Sequence, residues 1–295
     1  MHAQYVNHIQ PMLGKYKLSK INFAMCSALQ RNLLKKGLKP NVANSIMQLL
    51  KSILKKASDT RMIPFNPMNG LARLKDVSGQ NIKDGSHRYL TRDEKQEFFD
   101  AARSSFYYAA FVLMDETGMR CGECLSLKWS DIDWNRSTVS IHRTISRDKD
   151  GKTIISEIPK SSAGKRILKL SDRAVETLKE HRDKMRMITN VVQFDGLIFS
   201  KMDGNISTAS NIDASIYKVV EKVNRNGGNL KKFTSHAFRH GYATDAANAG
   251  LPIQQLMYIL GWSDTRQATR YYHDIEDQMM SAMNNVIEAR PAINS

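Results

Sequence analysis

The first 88 residues contain no glutamate and only three acidic side chains, Asp59, Asp76 and Asp84, against 15 lysines and arginines. That stretch carries a net +12, and the remaining 207 residues add only +3 to reach the chain's +15. So little negative charge points to a polyanionic partner, either nucleic acid or an acidic membrane surface. Long apolar runs are also missing. The longest, "YYAAFVLM", falls far short of the ~18 residues a membrane span requires, and no signal segment is visible. Cysteine is scarce as well: Cys26, Cys121 and Cys124 are too few and too oddly numbered for a disulfide framework. That usage suits a reducing compartment, and a cytoplasmic, non-membrane protein is expected. "CGEC" at 121–124 has the spacing of a zinc or redox site, but no second Cys/His pair lies at zinc-finger spacing. Two small buried thiols are the expectation there, and no metal.

What is present reads as two helical domains, since 295 residues are long for a single core. "INFAMCSALQRNLLKKG" is a helix stopped by Gly37. In "NVANSIMQLLKSILKKA", Val42, Ile46, Leu49, Leu50, Ile53 and Leu54 recur at helical spacing behind Asn41 as N-cap, with Lys51, Lys55 and Lys56 on another face. These elements make residues 1–75 a small helical domain whose basic face is expected to meet the phosphates of that polyanion. Residues 76–88 are polar, glycine-bearing and aperiodic, which is the texture of a linker.

The second domain, 89–295, opens at "LTRDE", where Thr91 and Glu94 form a capping box. "STVSIHRTI", "KTIISEIP" and "RILKL", split by "RDKDG" and "KSSAGK", predict a small antiparallel sheet. Helices then return in "RAVETLKEHRDKM", "TASNIDASIYKVVEKV", "SHAFRHGYATDAANAG" and "PIQQLMYILG", the last with Pro252 in its first turn and Gly261 after its end. The fold class is mainly α with one minor antiparallel sheet. In the tail, Met279, Met283, Val286 and Ile287 recur at helical spacing and predict a short amphipathic helix.

Four fragments concentrate chemistry: "TGMRCGE" with Arg120 and Glu123, "IPKSSAGKR" with Lys160, "SHAFRH" with His236, Arg239 and His240, and "GWSDTRQATRYYH" with Trp262 and two tyrosines. Each alone has an ordinary explanation. Arg120 caps a helix, Lys160 sits on an exposed turn, and His236 starts a helix. Their order is what carries information. "TGxRxxE", a lysine in a β-turn, His-x-x-Arg-His, and "LG(His or Trp)S" nine residues before a Tyr that His follows two on resemble the catalytic series of the tyrosine recombinases, the phage integrases and their relatives. The resemblance covers the chain from about residue 89, including "LSLKWSDID". The first 75 residues are similar, less distinctively, to the helical core-binding domain of integrases, while the further arm-site-binding domain of many integrases has no counterpart in these residues.

The resemblance implies the integrase catalytic fold and a site-specific recombinase that cleaves and rejoins DNA through a covalent 3′-phosphotyrosyl intermediate, without metal or ATP. It implies Arg120, Lys160, His236, Arg239, Trp262 and Tyr271 as the catalytic set, with Glu123 and His240 in support. Its partners would be double-stranded DNA with specific recombination sites, three further copies of the chain in a homotetramer, and DNA-bending accessory proteins. In a prokaryotic host it would associate with the nucleoid. A type IB topoisomerase-like enzyme and a DNA-binding accessory protein with a decayed site are the alternative readings. Two departures stand out. Trp262 replaces the usual His and can donate a hydrogen bond but neither accept one nor titrate. The usual single tyrosine is doubled, and the spacing of nine from Trp262 selects Tyr271.

The chemistry fits these residue types on its own terms. A phenol of pKa near ~10 attacking a phosphodiester builds negative charge on phosphorus oxygens, and Arg120 and Arg239 can each offer paired N–H donors. Lys160, or Lys165 in the same loop, would protonate the departing 5′-oxygen. His236 would donate to phosphate or act as acid/base, Glu123 would fix its neighbours, and His240 would orient them. The sequence has no carboxylate cluster suited to two Mg²⁺ ions and no glycine-rich phosphate loop.

Overall fold

The computed structural model describes residues 2–75, 89–158, 163–188, 196–272 and Met280. The expected linker, Lys160, and the tail stripe of Met279, Met283, Val286 and Ile287 therefore lie outside the described residues. The chain divides into two compact units, Met1–Ile82 and Lys83–Ser295.

The first unit is all helix and turn. α1 (His2–Gln4) runs through a π-helical stretch, Tyr5–Ile9, into α2 (Gln10–Leu13), and is followed by α3 (Phe23–Lys35) and α4 (Pro40–Asp59). Asn22 caps α3 by accepting from the Met25 N–H at 3.0 Å, and Gly37 takes positive φ just beyond the helix end. α4 begins earlier than the sequence suggests. Pro40 occupies its first turn and Lys39 is the N-cap, so Asn41 lies inside the helix and does not cap it. The proline ring presets the helical φ where an N–H would be unpaired anyway. The buried stripe of α4 is Ala43, Ile46, Met47, Leu50, Leu54 and Ala57; Val42, expected within it, is 44% exposed. These residues pack on Ile9, Leu13, Cys26, Leu29 and Leu33. The chain's way out is clipped by Asn44, whose Nδ2 donates to Leu74 O at 2.9 Å while its Oδ1 accepts from Leu74 N at 3.0 Å.

The second unit is helical around a small β-structure. The Thr91/Glu94 capping box opens α5 (Arg92–Ala102), which is followed by α6 (Tyr108–Thr117) and α7 (Cys121–Leu125). Five short strands come next: β1 (Ile132–Asp133), β2 (Thr138–Ile141), β3 (Arg143–Arg147), β4 (Thr153–Glu157) and β5 (Arg166–Lys169). They are antiparallel but divide in two, with β1-β2-β5 as one ladder and the β3-β4 hairpin as another. The run "STVSIHRTI" breaks at His142, which lies between β2 and β3. α8 (Asp172–Ile188), α9 (Ala209–Arg225), α10 (His236–Asn248) and α11 (Ile253–Leu260) follow, with Pro252 as the N-cap of α11. The main core centres on Phe98, whose ring lies 5.1–5.7 Å from those of Phe99, Phe111, Phe233 and Phe238. Truncating such a residue to alanine typically costs about 3–5 kcal/mol. A smaller core gathers Ala243, Ala247, Leu256, Leu260 and Ala268 around Trp262 and Tyr271. Among the described residues no helix is long and apolar enough to cross a membrane.

Candidate active site

The turn "TGMR" ends α6 and points Arg120 at the start of α7. Gly118 is left-handed (φ 63°), and a Cβ there would lie 2.6 Å from Leu260 and 2.8 Å from Tyr242. Glycine thus lets α10 and α11 close on this turn. Arg120 is the N-cap of α7, and Glu123 answers it twice: Glu123 Oε2 accepts from the Arg120 backbone N–H at 2.8 Å and Oε1 from Nη1 at 3.0 Å. Arg120 Nη2 donates to Gly261 O at 3.3 Å, and its side chain stays 39% exposed. Glu123 is buried, which opposes its ionisation. Hydrogen bonds and charge from Arg166, joined by those of Arg120, outweigh that and hold the carboxyl below its ordinary range.

Arg166 went unnamed in the sequence reading. On β5, burial alternates in–out–in–out, so Arg166 shares the inner face with Leu168 while Ile167 is 58% exposed. An arginine on the core phase of a strand beside an isoleucine on the outer phase was the available signal. Its Nη2 donates to Glu123 Oε2 at 2.7 Å, Nη1 to Oε1 at 3.3 Å, and Nε to Ile259 O at 2.6 Å.

Arg239 is buried on α10. Its Nη1 donates to Gly118 O at 2.9 Å and its Nη2 to Leu260 O at 2.5 Å. Arg166, Arg239 and Arg120 therefore serve three successive carbonyls, Ile259, Leu260 and Gly261, at the C-terminal end of α11. Those carbonyls lack intrahelical donors and form the negative end of the helix dipole, a natural seat for guanidinium groups. The seat is crowded with positive charge. Burial, then the charge of Arg120, with a further push from Arg166, lower the Arg239 pKa to about 9 against the pull of Glu123 and Tyr271.

Residues 265–272 are helical. Tyr271, 8% exposed, stacks on Trp262 with ring centroids 5.6 Å apart and planes 14° from parallel, and Arg239 lies 5.2 Å from the other ring's centroid, that of Trp262. The Tyr271 hydroxyl is hydrogen-bonded to His240 Nδ1. His236 begins α10, exposed, with its ring 6.2 Å from that of His240. Tyr272 diverges, and its hydroxyl donates to Leu251 O. Six of the eight expected residues thus join through contacts in two linked groups, Arg120–Glu123 and Arg239–Trp262–Tyr271–His240, with His236 beside the second. Lys160 is outside the described residues; Lys165, its rival, is paired with Glu157 at 3.4 Å.

Of the two CGEC thiols, Cys124 is buried in the core and Cys121 is half-buried against it. Cys124 donates to Ala110 O, and burial pushes Cys121 up to about 12 and Cys124 well above its ordinary value. Among the described residues, no group of three or more His, Cys, Asp or Glu is arranged to hold a metal ion. In the first unit, Lys51, Lys55 and Lys56 are all exposed, with Lys55 bridging to Asp59 at 2.8 Å.

With this geometry in place, the comparisons with known proteins are specific. Residues 88–278 match the profile of the phage integrase family. A tyrosine recombinase XerC-like protein of Caldanaerobacter subterraneus subsp. tengcongensis is 27% identical over 301 residues, 96% of this chain and 75% of that protein. The transposase from transposon Tn916 of Enterococcus faecalis is 26% identical over 211 residues, 67% of this chain and 50% of the transposase. The chain thus spans about half the length of that second relative. Among solved structures, the Tn1549 transposon integrase in complex with a circular intermediate DNA has a TM-score of 0.78 at 22% identity, covering 96% of this chain and 92% of that one.

Proposed function

The chain belongs to the phage integrase family of tyrosine recombinases, and we propose that it is a site-specific recombinase that cleaves and rejoins duplex DNA through Tyr271. The Tyr271 oxygen attacks the scissile phosphorus, a new P–O(Tyr) bond forms, and the bond to the 5′-oxygen breaks. His240 takes the phenolic proton, the base role falling to the histidine that meets the hydroxyl. Arg120 and Arg239 turn N–H donors toward the nonbridging oxygens, a contribution of about 3 kcal/mol or more each where donors are pre-positioned. His236, exposed at the head of α10, adds a further donor, and Lys160 supplies the proton to the leaving 5′-oxygen. Trp262 packs the nucleophile's ring in place. The phosphotyrosyl bond conserves the energy of the broken linkage, so a free 5′-hydroxyl from a partner strand reverses the step without ATP.

The observation that carries this reading is the position of Tyr271, with its hydroxyl on His240 and its ring under the Trp262 that Arg239 also covers. Exchange between two DNA sites calls for four protomers cutting in pairs, and the natural partner is double-stranded DNA bearing recombination sites, in the cytoplasm at the nucleoid of a prokaryotic host. The test is to incubate the full chain with site-bearing and supercoiled DNA, denature, and look for a covalent adduct. An adduct mapping to the Tyr271 peptide is expected. No adduct on any DNA would sink the reading, and relaxed plasmid without recombinants would move it to a topoisomerase-like enzyme.

A further inference from the structure

Arg166 has five N–H donors and no exposed surface, its side chain being 0% accessible, so it cannot itself touch a DNA phosphate. Its donors instead tie its own loop to the Arg120 fragment and to the end of α11. Nη1 and Nη2 hold the Glu123 carboxylate from its buried side, Nη1 also donates to Gly164 O at 3.1 Å, and Nε donates to Ile259 O at 2.6 Å. Glu123 belongs to the Arg120 fragment, Gly164 to the loop that carries Lys160, and Ile259 to the helix end leading into Gly261 and Trp262. The fit is close: a Cβ on Gly261 would lie 2.9 Å from Arg166 Nη1 and 2.9 Å from Ala163 O.

The carboxylate of Glu123 is shared unequally. Arg166 grips both oxygens through its fork, whereas the Arg120 side chain reaches only Oε1, and the Arg120 backbone N–H takes a place on Oε2. Arg239, although close enough to feel the charge of Glu123, spends its donors on Gly118 O and Leu260 O, so without Arg166 the buried carboxylate would keep Arg120 as its hydrogen-bonded guanidinium. A fork-to-fork pair is the strongest contact those two groups can make, and forming it would draw Arg120 inward.

We propose that Arg166 is a positioning residue for DNA cleavage: by occupying the buried side of Glu123 it limits that carboxylate's hold on Arg120, leaving Arg120's remaining donors free for the scissile phosphate. The inference rests on the recombinase reading of the site. It differs from a purely structural ion pair in what it does to the rate per folded molecule. A structural pair would change stability and leave the chemistry of the surviving molecules alone.

The experiment measures single-turnover adduct formation at saturating DNA, DNA affinity, and thermal unfolding, for the parent chain, Arg166→Gln, Arg166→Lys and the double variant Glu123→Gln/Arg166→Gln. Arg166→Gln should lose about 10- to 100-fold in cleavage rate, the scale of a small misplacement in a reacting site, with affinity within about threefold of the parent. The double variant, in which no buried charge competes for Arg120, should cleave faster than Arg166→Gln alone. Parental rates in folded Arg166→Gln, or a double variant no faster than the single, would overturn the inference. If Arg166→Gln does not fold, Arg166→Lys carries the test: it keeps the charge but loses the fork, so a slower rate at unchanged affinity supports the proposal and a parental rate overturns it. A parent that forms no adduct on any DNA removes the recombinase reading and this inference with it.

Discussion

The hydroxyl of Tyr271 is hydrogen-bonded to Nδ1 of His240, while His236, one helical turn earlier on α10, faces outward. The two histidines of "HAFRH" are thus not equivalent. Of the two, His240 is the one whose ring nitrogen is hydrogen-bonded to the Tyr271 hydroxyl among the described residues, and on the proposed mechanism it receives the phenolic proton. His240→Gln preserves a hydrogen-bonding partner but cannot accept that proton. Its adduct formation should fall by about 10²- to 10⁴-fold with DNA affinity nearly unchanged. A parental cleavage rate in His240→Gln, measured by quenched time courses, would return the base role to His236 or to solvent.

The paired tyrosines separate by simple geometry. Consecutive helical residues point ~100° apart, and here Tyr271 turns to His240 and Trp262 while Tyr272 turns to the Leu251 carbonyl. Tyr271→Phe removes only the attacking oxygen, so the adduct should vanish while DNA binding persists. Tyr272→Phe should still form the adduct and should lose about 1 kcal/mol of stability with its hydrogen bond. Peptide mapping that puts DNA on Tyr272 would reverse the assignment.

Much of this arrangement was legible where the signal is local. The Thr91/Glu94 capping box spans four residues, and the left-handed glycine after α11 sits where the periodicity ends. Resemblance of four short fragments, in their order, to the tyrosine recombinase series singled out Arg120, Glu123, Arg239, Trp262 and Tyr271, which the fold joins through contacts. Non-local pairing was harder to read. Arg166 and Glu123 are 43 positions apart, so their pairing depends on the tertiary fold bringing a side chain of β5 to one of α7, which no window of sequence reports. The alternation of "STVSIHRTI" reads as one strand because the break at His142 is a change of partner, with β2 pairing β5 and β3 pairing β4. Asn41 is a good capping residue, but the rigid φ of Pro40 starts the helix first.

The CGEC pair should be chemically quiet. Burial raises Cys121 to about 12 and Cys124 well above its ordinary value, and Cys26 is raised by burial as well. Because the thiolate is the reactive form, iodoacetamide at pH 8 should leave Cys121 and Cys124 unlabelled in the native chain and label them after unfolding. Rapid native labelling of Cys121 would show that its thiolate is accessible and that the pair does more than fill the core.

Arg239 links the site's charge crowding to pH. Its lowered pKa means that the folded state pays for carrying the proton at every pH below about 9, a cost relieved as pH rises from there toward the unfolded value of 12.5. A bound oxyanion opposes the crowding, so it should bind best while Arg239 is charged. At neutral pH, sulfate at ten times its dissociation constant should stabilise the chain by about 1.4 kcal/mol, a few degrees in Tm. The part of that gain due to the site should disappear in Arg239→Gln and fade in the parent as pH rises through about 9. Equal gains in both proteins would mean that sulfate acts through general exclusion from the surface and not through this pocket.

The last expectation concerns the basic first unit. Lys51, Lys55 and Lys56 are exposed on α4, and Lys55 is paired with Asp59 through two side chains that are 68% and 56% accessible. Such a pair is worth little and yields readily to a phosphate. Each lysine that neutralises a phosphate releases condensed counterions and adds about 0.9 to the slope of log affinity against log salt. Replacing all three by glutamine should therefore weaken DNA binding across sequences alike and reduce that slope by about 2 to 3. It should leave cleavage at saturating DNA close to parental, because none of the three belongs to the Tyr271 site. An unchanged salt slope in the triple variant would mean that α4 presents these lysines to solvent alone, and that the charge excess of residues 1–88 meets DNA through a different face.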